Sequence, residues 1–141
     1  MLSLLYISRS NLTLGVGPEL EDLLARAMVR NLKNGITGAL VHTGSDFAQV
    51  LEGPEGNVAD VMSSILIDPR HSDVQIVRRD EVAARSFPNW GMALIGHLPE
   101  TQAQIEVIRR AGDDAAFGSA LDGLSDWMRA GASAAVTGGT A

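Results

Sequence analysis

The apolar residues of this chain change their spacing in a set order, and that order restricts the fold more than any single motif does. Residues 2–8 alternate, with Leu2, Leu4, Tyr6 and Ser8 on one side and Ser3, Leu5 and Ile7 on the other, the two-residue period of a strand. After a Gly-rich stretch at 11–17, Pro18 opens a segment in which Leu20, Leu23, Leu24, Ala27 and Met28 recur at helical spacing, and the stripe continues to Asn31. Glu19, Glu21 and Asp22 put negative charge at the positive end of that helix, and Asn34-Gly35 stops it. Strands follow at 36–43 and 46–52, joined by a tight turn near Gly44-Ser45. A second helix at about 57–67 carries Val58, Val61, Met62 and Ile65 on one side, and Pro69 ends it in the turn Asp68-Pro69-Arg70-His71. Further strands are expected at 73–79 and about 90–96.

Strand, helix, strand, strand, helix, strand is the order of the ferredoxin-like split βαβ plan, so the expected class is α+β with a fifth strand added. In that plan the first and third strands are central neighbours and both helices lie on one face. Past residue 98 two amphipathic helices are expected, one with Ile105 and Ile108, the other with Phe117, Leu121, Leu124, Trp127 and Met128, covering the free face of the sheet. The expected organisation is a sheet domain at 1–97, a helical extension at 98–130 and a low-complexity, disordered tail at 131–141.

At 141 residues there is room for one sizeable core and no second catalytic domain. A net charge of −6, with acidic and basic residues interspersed, speaks against general nucleic-acid binding. The absence of cysteine removes disulfides and thiolate catalysis, and His42, His71 and His97 are too scattered for a metal site. The start "MLSLLYISRS" reads as a strand and not a signal peptide, and no run approaches a membrane span, so a cytoplasmic location is expected.

What stands out instead is polar residues in apolar settings. In "SDFAQVLEGP" alternation puts Gln49 between Phe47 and Leu51 on the face shared with Tyr6, and the helix above carries Asn31. Singly, each reads as a structural hydrogen bond. Together, a phenol and two amides could surround a planar ligand rich in acceptors. Gln49 suits a bridge because a primary amide both donates and accepts, whereas an ionised Glu only accepts.

The segments "LLYISRS", "RNLKNGITGAL", "FAQVLEG", "DPRHSDV" and "RSFPNWGM" resemble, in order and spacing over about residues 2–95, those of BLUF domains, the flavin-binding blue-light sensors. The resemblance implies FAD between the two helices, with Asn31, Arg70 and His71 holding it together with Tyr6 and Gln49, the photoactive pair. It implies that Trp90 and Met92 relay the signal, beyond their plain reading as core. FAD is chosen over FMN on this resemblance alone. For Arg70 and His71 the residues themselves suggest a turn with an ion pair to Asp68 or Asp73, and Arg30 reads as a solvated helix-end charge. The C-terminal helices are similar to those of short stand-alone members, implying a photosensor that is not an enzyme, acting on a separate effector protein or as a homo-oligomer. Two other readings stay open on the residues: a ferredoxin-like module binding a metabolite or non-photoactive flavin, and an acylphosphatase-like hydrolase using Arg9 and the Gly15-Val16-Gly17 loop.

Overall fold

The computed structural model describes residues 1–11, 16–87, 93–95, 99–110 and 115–139. Along the chain run β1 (Leu2–Ser10), α1 (Val16–Lys33), β2 (Thr37–His42), β3 (Asp46–Gly53), α2 (Glu55–Leu66), β4 (His71–Glu81), β5 (Ala93–Ile95), α3 (Pro99–Arg110) and α4 (Ala115–Gly139). The sheet order is β4-β1-β3-β2-β5, with β1 and β3 adjacent at its centre and β5 joined in parallel to β2. This is the ferredoxin-like α+β plan with an added edge strand.

All eight residues of β3 are buried, because alternate side chains enter two different cores. On one face Phe47 and Leu51 pack with Leu4, Tyr6, Leu40 and the inward side of α2, and Leu23 and Leu24 of α1 close over them. On the other, Ala48 and Val50 join Leu5, Ile7 and Val41 beneath Ile105 and Ile108 of α3 and Leu121, Leu124 and Met128 of α4. The C-terminal helices therefore do cover the free face of the sheet.

The Asn34-Gly35 stop works as a Schellman turn. Gly35 has φ +64, Gly35 N–H reaches Leu32 O at 3.3 Å, and Ile36 N–H reaches Asn31 O at 2.8 Å. Asn57 Nδ2 donates to Asn34 O at 2.9 Å, so the start of α2 sits beside the end of α1.

Two elements differ from the sequence pattern. β4 begins earlier and ends later than 73–79, and its pairing with β1 is irregular between Ile7 and Arg9, opposite Asp73, whose φ is +52. Such a bulge breaks strict alternation, which blurs the strand's ends in the sequence. α4 runs through Gly139, into the stretch where a disordered tail is expected. The alanines in that stretch favour helix, and propagating an established helix is easier than starting one.

Candidate functional site

Register brings the polar residues together. In the antiparallel ladder Tyr6 lies opposite Gln49, and Gln49 lies opposite Leu40 of β2, so the amide is flanked on both sides within the sheet. Cross-strand partners on one face are in side-chain contact. The Tyr6 hydroxyl donates to Gln49 Oε1, with both residues buried. That bond faces a cleft of about 430 Å³, counting its open mouth, between α1 on one side and the end of α2 on the other. Leu23, Ala27, Leu40, Phe47 and Ile65 give it apolar walls, and Arg26, Arg30, Asp68, Arg70 and His71 border it.

The turn after α2 is held by Asp68, which accepts from the Arg70 backbone N–H at 2.9 Å and from its Nη2 at 2.7 Å. Arg70 also lies 3.8 Å from Asp22 of α1, across the mouth of the cleft. Of the two carboxylates weighed for Arg70, it is Asp68 that pairs with it, while Asp73 lies 3.5 Å from Arg9. His71 Nε2 lies 2.7 Å from Ile65 O, which can only accept, so Nε2 carries a proton, and Nδ1 shares a hydrogen bond of 2.8 Å with Ser8 Oγ. The ring stands edge-on to both Tyr6 and Phe47, with centroids 5.9 and 6.1 Å away.

Charge and burial set the protonation states. Burial pushes the Tyr6 phenol well above its ordinary value, Arg30 pulls it down and Asp68 pushes it up. Burial likewise lowers the Arg30 guanidinium. Burial alone would raise Asp68, but the hydrogen bonds and charge of Arg70, with His71, together hold it below the usual carboxylate range. The bond to Asp68 raises Arg70.

Tyr6, Gln49, Arg70 and His71 thus share one cleft. Asn31 is fully buried on α1 beside Arg30, whose Nε lies 3.3 Å from Asn31 Oδ1. Trp90 and Met92 lie outside the described residues. Arg30 is half-buried at the cleft and not a solvated helix-end charge. The signal for this was its spacing from Leu23 and Ala27, which puts it on the inward side of α1. Among the described residues no group of acidic or histidine side chains could hold a metal. A tricyclic flavin presents ring carbonyls and nitrogens with one ring N–H, and amide, hydroxyl and guanidinium groups set between aliphatic walls are the donor set it requires, so the residues fit it.

A family model described as sensors of blue light using FAD matches residues 1–93. The chain belongs to the BLUF family. Among BLUF relatives, it is 38% identical over 76 residues to the blue light- and temperature-regulated antirepressor BluF of Escherichia coli (strain K12), covering 54% of this chain and 19% of that protein. It is 37% identical over 71 residues to the photoactivated adenylate cyclase subunit beta of Euglena gracilis, covering 50% of this chain and 8% of that one. The chain thus spans under a fifth of the length of these two relatives. The dark-state structure of the BLUF protein BlrB superposes with a TM-score of 0.74 at 29% identity, covering 92% of this chain and 95% of that one. The BLUF assignment carries FAD as the cofactor and blue-light sensing as the function, and leaves the metabolite-module reading without support. Of the residues the hydrolase reading would use, Arg9 pairs with Asp73 at 3.5 Å on the surface, and Gly15 lies outside the described residues.

Proposed function

We propose that Tyr6 and Gln49 are the photoactive pair of this blue-light sensor, that Asn31, Arg70 and His71 hold the flavin with them, and that Trp90 and Met92 pass the signal on. The observation that carries this is the buried hydrogen bond from the Tyr6 hydroxyl to Gln49 Oε1 at the floor of the cleft. Bound FAD would supply the blue absorption and, when excited, a one-electron oxidant, with Tyr6 on the cleft floor as the electron donor. Its raised pKa keeps the phenol protonated in the dark, so the proton leaves only once an electron has gone and the hydroxyl has become strongly acidic. The proton then moves along the existing bond to Gln49 Oε1. Return of electron and proton leaves the amide free to settle turned or tautomerised, presenting its other end to the cleft.

A turned amide changes which hydrogen bonds β3 makes, a difference on the order of 1 kcal/mol, enough to bias a nearly balanced packing state. We further propose that the output runs through β5, α3 and α4 to a separate effector protein, with the chain as a homo-oligomer in the cytoplasm. The names of the relatives, an antirepressor and a cyclase subunit, support an effector downstream.

Absorption spectra in the dark, after blue light and during recovery test the pair. The wild-type flavin bands should move reversibly to longer wavelength. Tyr6→Phe and Gln49→Leu should bind flavin and show no such shift, and a normal photocycle in either removes that residue from the mechanism. Size-exclusion elution in the dark and under blue light checks the oligomer.

A further inference from the structure

Glu52 is a buried acid that the photochemistry does not use. It sits on β3 three residues beyond Gln49, so the two side chains point to opposite faces of the sheet, and it is 1% exposed. A carboxylate so placed costs free energy unless donors satisfy it. Here they do. Oε1 accepts the backbone N–H of Ser86 at 2.7 Å and of Phe87 at 3.0 Å, and Oε2 accepts Ser3 Oγ of β1 at 2.9 Å. The same segment is fixed a second way by Arg85, which donates to Glu52 O at 2.8 Å, Thr37 Oγ1 at 2.9 Å and Gly35 O at 2.7 Å. Phe87 then enters the core beneath α3 and α4.

Residues 85–87 are therefore tied to the photoactive strand by name, and they lead directly into residues 88–92 and β5. We infer that Glu52 is a positioning residue for the light signal: its carboxylate joins the strand bearing Gln49 to the segment that leads to Trp90 and Met92. A shift of β3 moves the acceptor shared by two consecutive amides, and the chain beyond follows. The inference rests on the sensor reading above and adds the mechanical link that reading lacks.

Amide hydrogen exchange over residues 82–95 of the full, FAD-loaded chain, in the dark and under blue light, tests it alongside the absorption shift. Glu52→Asp keeps the charge and draws the carboxylate back by one methylene, out of reach of the two amides. Glu52→Gln drops the charge and keeps an oxygen in reach. The wild type should show a light–dark exchange difference in this segment, Glu52→Gln should retain most of it, and Glu52→Asp should lose more than half, with the flavin shift intact in all three. A purely structural carboxylate would give no such split between reach and charge. Should Glu52→Asp fail to fold, Ser86→Pro deletes one of the two donors at an exposed residue and takes its place in the comparison. Overturning results are an unchanged difference in the variant that loses the bond, or no wild-type difference despite a shifted flavin. A wild type with no flavin shift at all would instead overturn the sensor reading, so the two failures are separable.

Discussion

Tyr6 is the single tyrosine of the chain, so its titration can be read directly in the ultraviolet. Burial holds its phenol above the ordinary value of about 10. Below about pH 10 it is neutral in both folded and unfolded chains and has no effect on stability. Above that the unfolded phenol ionises first, so folding stability should fall by up to about 1.4 kcal/mol per pH unit until the folded phenol ionises too. Urea melts at rising alkaline pH should show this loss in the wild type and not in Tyr6→Phe. Removing the positive charge with Arg30→Gln should move the folded phenol higher still, because Arg30 is the influence that lowers it. The meeting of Tyr6 and Gln49 on one face of the sheet was within reach of the sequence because strand alternation fixes which face each occupies. The half-burial of Arg30 was only partly so: its spacing from Leu23 and Ala27 sets it on the inward side of α1, but a charge near a helix end also has a solvated rotamer that only the neighbouring walls rule out.

At the scale of elements, close contacts decide what can change. A Cβ on Gly38 of β2 would come within 1.9 Å of Val50 O on β3, and backbone cannot step aside cheaply. Gly38→Ala should cost on the order of 1–3 kcal/mol or more in a urea melt, with flavin binding weakened because β2 and β3 carry the cleft floor. A buried ion pair joins the β2–β3 hairpin to α3: Asp46 is fully buried and accepts from Arg109 Nη2, with Gln102 Nε2 donating to it at 2.8 Å. Arg109→Ala strands that carboxylate and should destabilise the fold by about 3–5 kcal/mol, measured the same way. Asp46 and Glu52 show where the sequence runs out. Each stands at an end of the third strand, where an acid ordinarily faces water. Their burial depends on Arg109 and on residues 86–87, which lie far away along the chain. The hairpin, both flanking helices and the central pairing of β1 with β3 were legible, because periodicity and turn residues are local. The parallel docking of β5 on β2 was not, because nothing in a short strand names its partner.

At the scale of the whole molecule, α3 and α4 supply one wall of a core. Ile105, Ile108, Leu121, Leu124 and Met128 cover the sheet face formed by Leu5, Ile7, Val41, Ala48 and Val50. Deleting residues 99–141 would expose that face, and the truncated chain should aggregate, as light scattering would report, before any effect on output could be read. Met128→Ala, with that side chain wholly buried, should instead cost about 2–5 kcal/mol and leave a protein whose flavin bands still shift. The double-sided burial of β3 has a consequence for anyone building with this domain. The proposed photoactive pair and the proposed output helices are separated by a single layer of backbone, each with its own set of side chains. A designer can therefore redraw the surface of the helical pair for a new partner without retuning the chromophore. The two faces share the strands β1, β2 and β3, and β3, buried at all eight positions, is the one to leave alone.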